Sequence, residues 1–131
     1  MDEHPNCELV RRGFEAFATG DRATIESLIH EDAVWHIPGR SDLAGEHRGR
    51  EAILAMLRET ATRTAGTYRA TLDHVVADDQ HVVAVYRASG RREGRRLDIY
   101  QVLIVRLGDA RWLEVQAVPT DQYAFDEFWA G

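Results

Sequence analysis

The run HVVAVYRASGRREGRRLDIYQVLIVRL, residues 81–107, decides how the chain folds. Two segments, 81–91 and 95–107, flank Glu93-Gly94, and a glycine at that point suits the tight turn of a hairpin. On the second segment Leu97, Ile99, Gln101, Leu103, Val105 and Leu107 share one face of a strand, apolar apart from one amide. Gln101 is therefore expected in the interior, where an unpaired amide costs on the order of 1–3 kcal/mol. It is either satisfied by a neighbouring side chain or aimed at a ligand. On the first segment Tyr86 shares its face with Val82, Ala84 and Ala88, small residues that leave the phenol room to reach a ligand or to pack in the core.

The pattern extends to both sides. Residues 67–77 precede the pair across Asp78-Asp79, and residues 111–118 follow it across Gly108-Asp109. Four strands joined by short turns predict an antiparallel meander. Upstream, Leu9, Val10, Phe14 and Phe17 recur at helical spacing over residues 5–19, and Gly20 stops that helix. Asp21 suits the N-cap of a second, shorter helix carrying Ile25, Leu28 and Ile29. Residues 33–37 read as a short strand, the stretch from Pro38-Gly39 to Gly49 as a loop, and Ile53, Met56, Leu57 and Thr60 as one stripe of a third helix. Residues 122–129 read as a short terminal helix or aromatic plug.

The expected fold is α+β, one domain over residues 1–131: a cone-shaped roll of three N-terminal helices packed on a strongly curved, mainly antiparallel sheet. Such a sheet seldom fills its own interior, so it should enclose a pocket for a small hydrophobic ligand. On its outer face Asp98, Tyr100, Val102, Ile104 and Arg106 are half apolar, more than a solvated surface needs. This predicts a homodimer through the outer sheet. In the last strand Glu114 shares a face with Trp112, Gln116 and Val118, while Val115 and Ala117 are expected to point inward.

Composition narrows the chemistry. A net charge of −6 argues against nucleic acid as a partner, and Arg91, Arg92, Arg95 and Arg96 read as a solvated hairpin tip. No apolar run approaches the roughly 20 residues of a membrane span, and no basic-then-apolar leader opens the chain. No membrane partner and a cytoplasmic location are expected. Cys7 is the sole cysteine, so no internal disulfide or cysteine metal cluster forms, and all sixteen basic residues are arginine, which excludes lysine Schiff bases. No His, Asp and Glu set has zinc-helix spacing, no glycine-rich phosphate loop is present, and Ser27, Ser41 and Ser89 lie outside any nucleophile elbow. No metal is expected, and the chemistry that remains needs no cofactor.

Local text then points to a family. Val34-Trp35-His36-Ile37-Pro38-Gly39, Leu43-Ala44-Gly45, His47, Arg48-Gly49-Arg50-Glu51-Ala52-Ile53 and the closing Asp121-Gln122-Tyr123-Ala124-Phe125-Asp126-Glu127-Phe128-Trp129 resemble the SnoaL-like branch of the nuclear transport factor 2-like superfamily. That branch stands beside polyketide cyclases, ketosteroid isomerases and limonene epoxide hydrolases. The resemblance implies an acid/base enzyme of cyclase, isomerase or hydrolase type on a small hydrophobic carbonyl or polyketide-like molecule. The alternative is a non-catalytic binding or dimerisation protein of the same fold.

Aligned on Pro38-Gly39, His36 takes the position of the isomerases' aspartate base and the hydrolases' asparagine. An imidazole with an unperturbed pKa of about 6.5 could move a proton there. Register decides this: a shift of one residue turns His36 outward and puts Trp35 and Ile37 in the pocket. Asp121 falls where cyclases and epoxide hydrolases carry a working aspartate, and could equally be a helix N-cap. The resemblance thus makes His36 and Asp121 catalytic, with Trp35, His47, Tyr86 and Gln101 shaping the substrate site. Against known mechanisms, Tyr86 and Ala88 replace the hydrolases' Arg/Asp pair, and Leu103 replaces the isomerases' oxyanion acid.

Overall fold

Six strands form one continuous curved sheet in the order β2-β1-β6-β5-β4-β3, in a computed structural model that describes residues 3–131. Met1 and Asp2 lie outside the described residues. Helices α1 (Cys7–Thr19) and α2 (Arg22–Leu28) lead into β1 (Ile29–Ile37), β2 (Gly45–Arg48) and α3 (Arg50–Arg63). The meander follows as β3 (Arg69–Ala77), β4 (His81–Arg92), β5 (Arg95–Gly108) and β6 (Arg111–Pro119), and α4 (Gln122–Trp129) closes the order. Every strand contact is antiparallel except β1 with β6. The result is the expected α+β cone, with helices across its concave face.

Local chemistry sets the boundaries. Gly20 adopts a left-handed φ of 71° and gives its N–H to Phe17 O, which ends α1. The Asp21 carboxylate accepts from Thr24 N at 3.1 Å and starts α2. Two expectations need correction here. The stretch read as a loop contains β2, and β1 begins at Ile29, four residues before Ala33. Gly-Glu-His-Arg has no apolar alternation, so only its pairing with β1 makes it a strand.

A bulge in β6 corrects a third. Arg106 faces Glu114 while Leu107 faces Trp112, so Leu113 is the extra residue. Trp112 therefore turns inward beside buried Val115 and Ala117, and Glu114 remains outside. The inner face is completed by Ala33, Trp35 and Ile37 of β1, Val82, Ala84, Tyr86 and Ala88 of β4, and Leu97, Gln101, Leu103 and Val105 of β5, all buried.

Helix α1 lies close on this floor because of one glycine. A Cβ at Gly13 would stand 2.6 Å from Trp112 Cζ2, so any larger residue would push helix and indole apart. A glycine inside a helix costs about 1 kcal/mol relative to alanine. In return the Trp112 indole N–H reaches Leu9 O at 3.1 Å, tying α1 to β6.

Candidate functional site

Between helices and sheet lies a cavity of about 90 Å³. A single water occupies roughly 10–15 Å³ on that measure, so the space admits a small organic molecule. Its wall takes Phe14 and Phe17 from α1, Met56, Leu57 and Thr60 from α3, Phe125 and Trp129 from α4, and Trp35, Ile37, Tyr86, Gln101, Leu103 and Trp112 from the sheet. Neither histidine nor any aspartate, glutamate or arginine of the described residues lines it. The polar groups are tyrosines, tryptophans, one threonine and Gln101.

Tyr86 and Gln101 face each other across β4 and β5. Gln101 Nε2 donates to the Tyr86 hydroxyl at 2.6 Å, while Gln101 Oε1 is buried and has no hydrogen-bond partner among the described residues. A neighbouring side chain thus satisfies one end of the Gln101 amide and leaves the other end unpaired. The Tyr86 ring meets Phe14 edge-on at 5.0 Å. Burial pushes the Tyr86 phenol well above its ordinary pKa, nearby Tyr68 adds to the rise, and Gln101 opposes it. Tyr86 is therefore a neutral phenol at every physiological pH. Trp35 lines the cavity as expected and stacks at a tilt on Trp112, with centroids 6.1 Å apart.

The other nominated residues lie elsewhere. His36 sits on the outer face of β1, its Nε2 donating to Glu114 Oε2 at 3.3 Å and its Nδ1 3.7 Å from Glu46 Oε1. The cause is the period of the strand: Ala33, Trp35 and Ile37 make a larger apolar set than Val34 and His36, so the indole goes inward and the imidazole outward. His36 beside it, and then Arg106, hold the Glu114 carboxyl below the usual range. Asp121 caps α4, accepting from Ala124 N at 3.0 Å on the surface. His47 gives its Nε2 proton to Leu43 O at 2.8 Å and does not line the cavity. Among the described residues no group of three or more His, Cys, Asp or Glu is arranged to hold a metal ion. No helix among them is long and apolar enough to cross a membrane.

Tyr68 was missed. It lines the cavity, meeting Phe17 at 6.1 Å and Trp129 at 5.6 Å, and burial raises its phenol pKa as well. The signal was present in Tyr68, Ala70 and Leu72, which alternate with Arg69, Thr71 and Asp73.

Comparison with known proteins fits this geometry. Residues 10–115 match the SnoaL-like domain. Uncharacterised proteins of Mycobacterium tuberculosis and Mycobacterium bovis are 35% identical over 131 residues, covering 99% of this chain and 100% of theirs. Among solved structures, Bal32a from a soil-derived mobile gene cassette is 42% identical at a TM-score of 0.92, with 95% of each chain covered. A loop-truncated variant of IdmH is 26% identical at a TM-score of 0.73, covering 88% of this chain and 92% of that one. Wild-type IdmH is a candidate polyketide cyclase from Streptomyces antibioticus and is 24% identical at 0.74, covering 89% and 93%. With a matching domain over most of its length and a nuclear transport factor 2-like cone around an apolar cavity, this chain belongs to the SnoaL-like family.

Proposed function

We propose that the chain binds a small, mainly apolar, uncharged molecule in its cavity and orients it through Tyr86 and Gln101. One observation carries this reading: a buried amide oxygen without a partner stands in an otherwise apolar wall. Leaving such a group unpaired costs about 1–3 kcal/mol, so a ligand that meets it gains affinity and orientation together. An anionic ligand finds no guanidinium or imidazole in the wall to offset its desolvation.

The test uses indane, an uncharged bicyclic hydrocarbon, as a probe followed by protein NMR. Shifts confined to cavity residues, lost in a cavity-filling Ala117→Phe variant that stays folded, would support the reading. Undiminished binding by that folded variant would overturn it.

A catalytic reading applies to the same cavity and draws support from the likeness to IdmH, a candidate polyketide cyclase. With His36 and Asp121 outside, acid/base chemistry of the cyclase or isomerase kind would rest on Tyr86 as a neutral donor to an oxygen that gains charge, in a mainly apolar pocket. Turnover lost in Tyr86→Phe and kept in His36→Ala is the expected signature.

The outer sheet face supports self-association. Tyr100, Ile104 and Val118 are exposed there, and Val102 and Val118 are cross-strand partners in one continuous apolar band. A second copy related by a two-fold axis would cover it. Sedimentation should report a dimer that Ile104→Arg converts to monomer.

A further inference from the structure

The hydrogen-bond inventory of the Tyr86–Gln101 pair goes beyond the presence of a ligand, and it rests on the preceding reading that the cavity is the ligand site. Gln101 is 2% exposed and Tyr86 5%, so water does not substitute freely for missing partners. The amide nitrogen is engaged with the phenol oxygen at 2.6 Å. Two capacities remain open side by side: the hydrogen of the Tyr86 hydroxyl, which has no acceptor among the described residues, and Gln101 Oε1, which has no donor.

One ligand group satisfies both. A hydroxyl accepts from Tyr86 with its oxygen and donates its own hydrogen to Gln101 Oε1. A ketone accepts from Tyr86 equally well but has no hydrogen to give, so the amide oxygen stays buried and unpaired. The remainder of the wall does not alter this balance. The Thr60 hydroxyl already donates to Leu57 O at 2.6 Å, and Tyr68 supplies another phenol, which serves either kind of ligand. Gln101 Oε1 is thus the group that distinguishes the two oxygens.

We propose that the cavity selects a neutral hydroxyl compound, an alcohol, phenol or enol, over the ketone of the same skeleton. The penalty for an unpaired buried acceptor corresponds to a preference of roughly fivefold to a hundredfold or more. The orientation of the amide is what the preference reports. Turned over, the amide would take the phenol hydrogen on Oε1 and present an N–H to the cavity, and the ketone would then win.

The experiment compares three probes of one skeleton, indan-1-ol, indan-1-one and indane, by calorimetry or NMR titration of the full chain. Wild type is expected to bind indan-1-ol at least about fivefold tighter than indan-1-one. Gln101→Met, which keeps an unbranched side chain without the amide, should bring that ratio close to one. Equal or tighter binding of indan-1-one by wild type overturns the proposal while leaving the cavity as a ligand site. So does an unchanged ratio in Gln101→Met. If none of the three binds, indane included, the ligand-site reading fails and the proposal falls with it. The wild-type ratio alone decides the matter should the variant not fold.

Discussion

The two faces of one sheet divide the chemistry of this molecule between them. On the concave side lie indoles, phenyl rings, two phenols and an amide, and the cavity wall holds no imidazole, carboxylate or guanidinium of the described residues. On the convex side His36, Glu46, Glu114 and Arg106 form a linked ionic cluster beside Ile104 and Val118. The two sets are a single residue apart along each strand. Proton-transfer groups at suggestive places in the sequence can therefore be wholly outside the cavity, and among the described residues the concave wall offers only neutral hydrogen-bonding groups.

The strongest way to break this division is to remove a concave-side ring. Trp129 is 1% exposed, and Trp129→Ala should cost about 3–5 kcal/mol in urea unfolding, against about 1 kcal/mol or less for Ile104→Ala. That smaller value holds where the chain is monomeric; at higher concentration the proposed self-association adds a concentration-dependent loss for Ile104→Ala, and its absence would argue against a dimer through this face.

The next effect concerns the polar pair. Tyr86→Phe leaves both ends of a buried amide unpaired and should cost about 1–3 kcal/mol. Adding Gln101→Leu should recover most of that loss, because replacing both partners by apolar groups removes the orphan. A double variant no more stable than Tyr86→Phe would show that the pair does not act as a unit.

Alkaline titration sharpens the contrast further. Tyr68 and Tyr86 have phenol pKa values raised by burial above 10.0. A phenol raised in the folded state stabilises the fold below the unfolded value and loses that contribution as pH climbs through the folded one. Stability should accordingly fall above about pH 10. In ultraviolet titration these two phenolates should appear only together with unfolding.

The smallest effect is expected at the residue that first drew attention. His36→Ala should change stability by less than about 1 kcal/mol and leave cavity binding intact. Because Glu114 is held below its ordinary range, first by His36 and then by Arg106, its contribution is present above pH 4.5 and lost as pH falls through the lowered value. Acid unfolding of Glu114→Gln should show a flatter dependence in that window.

How much of this could be read from the chain depends on the kind of signal. The β3–β6 meander was legible because each turn carries Asp or Gly and each strand alternates, and Gln101 stood out as one amide in an apolar row. Strand β2 was not, since Gly45, Glu46, His47 and Arg48 carry no burial pattern and take their conformation from β1. Trp112 was misplaced because a bulge is invisible to a period of two. His36 was drawn inward by analogy to a family position, although Ala33, Trp35 and Ile37 already formed the stronger apolar alternation. The close approach at Gly13 and the free end of the Gln101 amide are properties of packed atoms in three dimensions and have no one-dimensional signature.

The parallel seam between β1 and β6 sets an order in time. Trp35 and Val115 lie side by side although the whole meander separates them along the chain. Turns can zip β3 to β6 from neighbour to neighbour, but joining the seam closes a very long loop, the kind of contact that forms late. On the ribosome the first three helices emerge long before Pro119, with β1 lacking the strand it must lie against. Helices α1 and α3 can pack early on β1, β2 and β3, but the cavity wall lacks Gln101, Leu103, Trp112 and Ala117 until β5 and β6 arrive, so the cavity is the last part of this polypeptide to be finished.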